Sequence, residues 1–163
     1  MHKTIEPAIL YFGTPVVMIS TINEDGSVNL APSSSVFWLS WSCMIGLDAS
    51  SKTVENLKRT GECVLNLVPD DQVESVDRIA KTTGSEKLPL HKKSWGYVHE
   101  KSKFEKAGLS QLGSISVKPP RVKEYPVHLE AKVCSLRSFG ENSAKMAGPC
   151  AAIELEIVKV HAE

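Results

Sequence analysis

The sequence predicts a mainly β protein, an antiparallel β-barrel with short helices at its periphery. Short apolar segments rich in β-branched residues recur along the chain, and several alternate apolar and polar side chains as half-buried strands do. Asp25-Gly26 between two such segments indicates a β-hairpin. Only two segments have helical periodicity, and no GxGxxG motif follows a strand, so a doubly wound dinucleotide-binding sheet is not indicated.

Six segments have the strand pattern and predict a barrel of six or seven strands: Pro15–Ser20, Ser27–Ala31, Phe37–Leu47, Cys63–Val68, Val127–Val133 and Ala152–Val160. Pro32 and the serines that follow it are expected to break the second strand into a loop. In the last strand the alternation changes phase at Val158, which predicts a β-bulge. The polar segment Phe139–Pro149 is expected to connect the last two strands.

Two helices are expected. The first begins near Ser50–Thr53, where hydroxyls can accept hydrogen bonds from free N–H groups, continues over Val54–Thr60 and ends before Gly61. The second covers Asp70–Thr83 and has an apolar stripe of Val73, Val76, Ile79 and Ala80. The segment Gly84–Pro126 contains four prolines and is expected to form long loops around short elements.

Length and composition favour one soluble domain, residues 1–163. Lys plus Arg and Asp plus Glu are balanced at 19 each, which argues against nucleic acid or an anionic membrane as partner. No apolar run approaches the ~20 residues of a membrane helix. The four cysteines have no CxxC spacing, so we expect free thiols, no metal site and a reducing, cytoplasmic location.

Five blocks of sequence, in conserved order along the chain, resemble the motifs of one known family. Asn29–Ser35 (NLAPSSS) is similar to its N-x-A-P-x-S motif, and Ser51–Leu57 (SKTVENL) to its S-x-T-x-x-N-L helix start. Gly61–Leu67 (GECVLNL) resembles the strand G-E-F-V-V-N-L, Lys103–Leu109 (KFEKAGL) the element K-F-x-x-A-G-L, and Val127–Ala131 the strand after it. On these blocks the chain resembles the flavin reductase-like family of FMN-binding split barrels.

The resemblance implies an FMN-binding split β-barrel, antiparallel and Greek-key-like, that forms a homodimer with each flavin pocket built from two chains. It implies FMN as cofactor, with FAD as the alternative, and NAD(P)H as co-substrate. The implied partner is a monooxygenase or another electron acceptor. The residues themselves also favour a dimer, because the predicted strands have more apolar surface than two short helices can cover.

The resemblance also implies two groups of flavin-binding residues. At the helix start, Ser50, Ser51, Lys52 and Thr53 would hold the phosphate, because N–H groups, hydroxyls and a cation suit a dianion. Around the serine-rich segment, backbone N–H groups and hydroxyls would face the isoalloxazine ring; the residues are Asn29, Ala31, Pro32, Ser33, Ser34 and Ser35. From the residues alone, an ordinary helix cap with a solvated lysine and a polar turn remain alternatives.

Four other residues have two interpretations each. Trp38 and Trp41 would face the flavin or belong to the core, and Trp95 would cover the substrate side of the flavin or only contribute to packing. Asn56 would belong to the site or lie on the helix surface.

The function that the resemblance favours is an NAD(P)H-dependent flavin reductase. In such an enzyme hydride passes directly between stacked rings, so positioning suffices and no catalytic side chain is predicted. The alternatives are a flavin-binding electron carrier without a nicotinamide site and a barrel that has lost its flavin.

Overall fold

A computed structural model describes residues 2–7, 10, 13–146 and 148–163. Seven of its strands form one antiparallel sheet, and four two-residue strands form two small ribbons. In chain order the strands are β1 Val17–Ile22, β2 Val28–Ser33, β3 Val36–Leu39, β4 Ser42–Asp48, β5 Glu62–Leu67, β6 Thr82–Thr83, β7 Val98–His99, β8 Gln111–Leu112, β9 Arg121–Val122, β10 Val127–Phe139 and β11 Cys150–Ala162. The helices are α1 Lys52–Thr60, α2 Val73–Asp77, α3 Leu90–Ser94 and α4 Lys103–Ala107.

The order of strands in the main sheet is β2-β1-β5-β10-β11-β4-β3. This seven-stranded antiparallel sheet with short helices confirms the predicted fold class. The strands β7, β8 and β9 and the helices α3 and α4 lie between Gly84 and Pro126, the region predicted to form long loops around short elements. α2 and β6 lie in Asp70–Thr83, the segment predicted as the second helix. Within the described residues, no helix is long and apolar enough to cross a membrane.

Local sequence signals placed the first hairpin and the first helix correctly. β1 and β2 pair antiparallel around Asp25-Gly26, where Gly26 has a φ of +81° and the Asp25 carboxylate accepts the Ser27 N–H at 3.0 Å. Ser51 caps α1 by accepting the Val54 N–H at 3.2 Å. Gly61 ends the helix with a φ of +68°, a left-handed conformation that glycine adopts without a steric penalty.

The region from Pro32 to Leu47 differs from the prediction in two places. β2 continues through Pro32 and Ser33. This is possible because β2 is an edge strand, where a residue without a backbone N–H can face away from the neighbouring strand. The single strand predicted over Phe37–Leu47 is two strands, β3 and β4, which pair Leu39 with Ser42 around a tight turn. Ser40 in that turn has a φ of +55°.

The second predicted helix is also shorter than expected. Residues 70–72 form a 3₁₀ turn and α2 ends at Asp77, after which Thr82–Thr83 pair with β7 instead of continuing the helix. The Thr82 N–H and hydroxyl both bond the Ile79 carbonyl, which turns the chain. Of the predicted stripe, Ile79 is buried and Val76 is half-buried, whereas Val73 and Ala80 are exposed.

β10 and β11 form a long hairpin that extends both predicted strands. Glu130 pairs with Lys159 and Ala131 with Ile157, so Val158 is the extra residue of a β-bulge, as predicted. A second irregularity lies at Cys134. The connection between the strands begins after Phe139, within the segment predicted to join them.

Two apolar clusters stabilise the structure on the two faces of β1. Val17 and Ile19 belong to the larger cluster, which includes residues of six of the seven sheet strands and of α1. Met18, between them, points into a second cluster with Phe104 of α4 and Tyr125. This alternation is what a strand buried on both faces requires.

A buried carboxylate attaches a loop to the sheet. Glu130 is fully buried, and its oxygens accept the N–H groups of Ile115 at 2.8 Å and Ser116 at 2.5 Å, as well as His161 Nε2 at 2.7 Å. Although burial raises the pKa of Glu130, these hydrogen bonds hold it below its usual range. The charge therefore stays on the carboxylate and keeps the 115–116 loop in place.

Candidate functional site

A cavity of about 340 Å³ lies between the β2–β3 junction, the end of β4, the start of α1 and the segment from Ala80 to Lys103. Nine of the ten residues that the sequence nominated line it: Asn29, Ala31, Pro32, Ser33, Ser34, Ser35, Ser51, Lys52 and Thr53. The other wall consists largely of residues that were not nominated from the sequence, among them Asp48, Thr82, Thr83, Gly84, Lys92, Tyr97 and Lys103. It also includes Trp95, for which a position over the flavin was one of two interpretations.

Ser50, the tenth nominated residue, lines an adjoining cavity of about 520 Å³ instead. Its backbone N–H and its hydroxyl both donate to Asp48 Oδ1, at 2.7 and 2.6 Å. This turn places Asp48 directly before the cap of α1. Lys52 and Gly84 line both cavities and separate them.

The β2–β3 junction forms one wall of the 340 Å³ cavity. β2 is an edge of the main sheet and pairs only with β1, so the backbone groups on its outer side have no strand partner among the described residues. The Ser35 carbonyl accepts the Gly46 N–H at 2.8 Å. A Cβ at position 46 would lie 3.3 Å from Ser35 Cβ, so glycine permits this close approach.

A buried polar network ties α1 to the first hairpin. Asn29 Nδ2 donates to Thr53 Oγ1 at 3.2 Å and to Thr21 Oγ1 at 3.4 Å. Asn56 Nδ2 also donates to Thr21 Oγ1, at 3.0 Å, and to Asn23 Oδ1 at 2.8 Å. Asn56 is fully buried, so the surface position considered for it is wrong. The network fixes the start of α1 relative to β2.

Lys52 forms part of the cavity wall, but its ammonium group is engaged by two carboxylates. Lys52 Nζ lies 2.8 Å from Glu24 Oε2 and 3.0 Å from Glu55 Oε1. Burial alone would lower the pKa of Lys52, but the hydrogen bonds to the two carboxylates raise it. The hydrogen bond to Lys52 in turn lowers the pKa of Glu24 to about 2. The positive charge of Lys52 is therefore balanced locally.

Two lysines that line the cavity are almost completely buried, Lys92 with 5% and Lys103 with 3% exposure. Lys92 Nζ lies 3.6 Å from Asp48 Oδ2, and Lys103 Nζ donates to the Thr82 carbonyl at 3.5 Å. Burial, with a smaller effect from Lys92, lowers the pKa of Lys103 to about 8. Sequence reasoning missed both lysines because lysine is ordinarily exposed; only the resemblance block from Lys103 to Leu109 pointed to this segment.

Asp48 connects the end of β4 to the short helix α3. Its Oδ2 lies 2.9 Å from His91 Nε2, and its Oδ1 accepts from Ser50. Burial raises the pKa of Asp48, but hydrogen bonds from Ser50 and His91 bring it below its ordinary value. Asp48 therefore stays ionised at neutral pH and holds α3, with Lys92, against the cavity.

The tryptophans divide between the cavity and another surface. Trp95 lines the cavity wall together with Tyr97, and its ring lies edge-on to His91 with the centroids 5.2 Å apart. Trp38 and Trp41 lie away from this cavity, in an apolar groove beside β10 and β11. Neither is part of the cavity wall; Trp38 is half-buried and packs against the larger apolar cluster, as its core interpretation expected, whereas Trp41 is exposed.

A family model described as the flavin reductase like domain matches residues 9–163. The chain belongs to the flavin reductase-like family. A relative from Bacillus subtilis (strain 168), the uncharacterized protein YdfE, is 38% identical over 161 residues, which cover 99% of this chain and 75% of that protein.

Solved structures agree on the fold of this flavin reductase-like domain. The flavoredoxin of Desulfovibrio vulgaris (Miyazaki F) aligns over 100% of this chain and 77% of its own, at 18% identity and a TM-score of 0.76. A protein with a split barrel domain from Shewanella frigidimarina NCIMB 400 aligns over 92% of this chain and 67% of its own, at 22% identity and a TM-score of 0.70. The fold is the split barrel that the sequence motifs predicted.

Proposed function

We propose that this flavin reductase-like domain is an NAD(P)H-dependent flavin reductase that holds FMN in the 340 Å³ cavity. Family membership makes the chain a flavin-related oxidoreductase. One observation supports the proposal that FMN binds in this cavity. The β2–β3 junction and the start of α1 line the cavity together with two buried lysines. This combination offers hydrogen-bond donors for a ring at one part of the cavity and positive charge for a phosphate at another.

The β2–β3 junction is proposed to hold the isoalloxazine ring. The ring nitrogens and oxygens gain electron density on reduction, and the outer backbone N–H groups of edge strand β2 are suitable donors to them. Trp95 lines the same cavity, and its side chain is 51% exposed, which leaves an aromatic surface for stacking. When bound, the flavin itself supplies the two-electron chemistry by accepting hydride from a nicotinamide.

The start of α1 is proposed to hold the ribityl phosphate end of the cofactor. Ser51 and Thr53 line the cavity at this helix N-terminus, and free N–H groups there favour an anion. The Asn29–Thr53 hydrogen bond fixes this end relative to the β2–β3 junction. The chain therefore contributes binding and orientation, which is what direct hydride transfer requires.

A flavin titration followed by anaerobic reduction tests the proposal. Added FMN is expected to bind with a perturbed visible spectrum, and NADH or NADPH is expected to bleach the bound flavin in a stopped-flow trace. Trp95→Ala should weaken FMN binding, whereas Phe139→Ala, a similarly exposed aromatic on another surface, should not. Protein that never changes the spectrum of added FMN would instead support a barrel without flavin.

An electron carrier without a nicotinamide site is the second candidate function. The observation in favour of this candidate is the structural alignment with a flavoredoxin over the whole chain, at a TM-score of 0.76. Both candidates bind FMN, so the reductant separates them. Bound flavin that dithionite bleaches, but that NADH and NADPH leave oxidised at millimolar concentration, would support the carrier and contradict the reductase.

The protein is further proposed to be a homodimer that uses the β3–β4 hairpin. This hairpin exposes three large apolar side chains, Phe37 at 55%, Leu39 at 72% and Trp41 at 59%. Beside it lies an apolar groove of about 200 Å³, lined by Trp38, Ser40, Trp41, Leu67, Leu129, Ile157 and Val160. Exposed apolar side chains beside an apolar groove are characteristic of protein interfaces, and a two-fold contact is the commonest way to cover them.

Sedimentation equilibrium with and without FMN tests the dimer. Leu39→Asp should produce a monomer, because it puts a charge into the apolar contact. Val73→Asp is the matched control, since Val73 is 57% exposed on α2, away from the hairpin. A wild-type monomer that persists at micromolar concentration with flavin bound would exclude a pocket shared by two chains.

A further inference from the structure

We propose that His128 makes the attachment of one surface segment to the main sheet sensitive to pH. The segment consists of residues 113–122, which follow β8 and end with β9. Near neutral pH, buried polar side chains hold it against the sheet. In mildly acidic solution, protonation of His128 releases it. This device does not depend on a bound flavin.

Val122 is held at both its N–H and its carbonyl by buried side chains. The N–H donates to Asn66 Oδ1 of β5 at 2.8 Å, and the carbonyl oxygen lies 2.7 Å from His128 Nε2 of β10. Asn66 and His128 are register partners in the sheet, so both reach the same residue. Asn66 is fully buried and His128 is 5% exposed, so water hardly competes for these hydrogen bonds.

Two further buried side chains attach the rest of the segment. Ser20 Oγ of β1 donates to the Pro120 carbonyl at 2.5 Å, and the Glu130 carboxylate accepts the N–H groups of residues 115 and 116. The strand partner of β9 is β8, and the two pair over two residues each. The segment therefore depends on side-chain hydrogen bonds from the sheet, and weakening one of them weakens its attachment.

His128 is the side chain in this group whose hydrogen bonding changes as the pH falls below neutral. A carbonyl oxygen can only accept, so the contact with Val122 places the proton of the neutral imidazole on Nε2. Nδ1 is buried and has no hydrogen-bond partner among the described residues. Protonation there adds an N–H group and a positive charge at a buried position with no acceptor to compensate them.

The surroundings of His128 oppose its protonation while the segment is attached. Burial is the largest effect and lowers the pKa of His128. Three charged or titratable groups face the ring from neighbouring elements: Arg121 of β9, His161 of β11 and Glu163 directly after β11. The first two lower the pKa of His128 further, whereas the Val122 hydrogen bond and Glu163 raise it. From β5 the register partner is the uncharged Asn66. The net direction is a pKa below the ordinary value of 6.5.

The direction of the shift decides the sign of the pH dependence. A His128 in water binds a proton near pH 6.5, whereas the buried ring binds one only at lower pH, so acidification below about 6.5 favours release. β10 lies between β5 and β11 in the sheet, so the segment is the part that can move away. Protonation of Glu130 belongs to a lower range, because its pKa is held below 4.5.

Amide hydrogen exchange of the wild-type protein, followed by NMR and corrected for intrinsic exchange rates, tests the release. Between about pH 7 and 5.5, the protection of the Val122, Ile115 and Ser116 amides should fall together, by roughly 3- to 10-fold. At each pH it should stay below the protection of Leu65, a buried residue of β5, because the segment opens without unfolding of the sheet. Protection that is independent of pH, or equal to that of Leu65, would overturn the proposal.

Three variants assign the effect to one histidine. His128→Gln should remove the pH dependence, because a glutamine amide can donate to the Val122 carbonyl but does not titrate. His161→Gln and His99→Gln are the controls: the first changes the neighbouring ring, and the second changes an exposed histidine of β7. Both controls should keep the pH dependence. Dependence that persists in His128→Gln but is lost in His161→Gln would contradict the proposal.

Nitrogen NMR shifts of the imidazole rings in wild-type protein give a readout that needs no variant. Near neutral pH we expect His128 to carry its proton on Nε2 and to titrate below its ordinary value of 6.5. A proton on Nδ1, or a titration at or above 6.5, would show that the buried ring is not the sensor.

Discussion

Replacing Lys103 with methionine is expected to stabilise the flavin-free protein at neutral pH and to lose this effect in alkaline solution. Lys103 is buried, and its pKa is lowered from 10.5 to about 8, mainly by desolvation and next by Lys92. Below the folded-state pKa the amine is protonated in both folded and unfolded chains, so the full cost of burying its charge is present. Methionine has a similar length and carries no charge, so the variant avoids this cost.

The magnitude follows from the pKa difference. A fall from 10.5 to about 8 corresponds to about 3 kcal/mol of free energy of unfolding at neutral pH. As the pH rises from about 8 towards 10.5, the folded chain releases the Lys103 proton before the unfolded chain does, so wild-type stability increases. The advantage of the variant should therefore disappear over this interval.

Urea unfolding of flavin-free wild-type protein and Lys103→Met at several pH values between about 7 and 10 measures this difference. Lys106→Met is the control, because Lys106 is 42% exposed on the same helix. The quantity to compare is the difference in unfolding free energy between wild type and variant, because groups that do not interact with Lys103 titrate equally in both proteins. A difference that does not change with pH, or a variant less stable than wild type at pH 7, would refute the reasoning.

Three further predictions concern the cavity wall and the fold. Gly84→Ala should destabilise the protein by about 1–3 kcal/mol in urea unfolding, because its Cβ would lie 2.7 Å from Asn29 Oδ1; Gly113→Ala, with no atom within 4 Å, should not. Ser51→Asp should preserve the helix cap and thermal stability but weaken FMN in a fluorescence titration, since it places a carboxylate beside the phosphate; unchanged FMN affinity would contradict the proposed position of the phosphate. Glu130→Gln should cost about 1–3 kcal/mol in urea unfolding, because the backbone N–H groups of the 115–116 loop lose an ionised acceptor; wild-type stability in this variant would show that the charge is dispensable.

The features predicted correctly are those that depend on neighbours in the sequence. The hairpin at Asp25-Gly26, the Ser51 cap, the Gly61 helix end and the bulge at Val158 each depend on a few consecutive residues, whose turn chemistry or alternation indicates the local conformation. The serine-rich segment and the helix start were nominated as a site by family resemblance, and both line the cavity. Their role in binding FMN stays a prediction.

Two of the features missed depend on contacts between distant segments. Pro32 remains in a strand because β2 is at the edge of the sheet, and strand order is a property of the whole fold. The second helix ends early because Thr82–Thr83 pair with Val98–His99, a partner that the proline-containing region did not indicate. Helical periodicity alone predicted a longer helix, and tertiary pairing overrode it.

The sequence by itself determined the fold class, the first hairpin, both ends of α1 and the family, because turn residues, caps and motif order are properties of short segments. Only the tertiary structure decided which charges face the cavity. The sequence does not show which carboxylates face Lys52, Lys92 and Lys103. Folding pairs Lys52 with two carboxylates, whereas it buries Lys92 and Lys103 and leaves Asp48 as the carboxylate beside Lys92. The cost of a buried charge depends on what surrounds it, and those surroundings come from four separate parts of the chain.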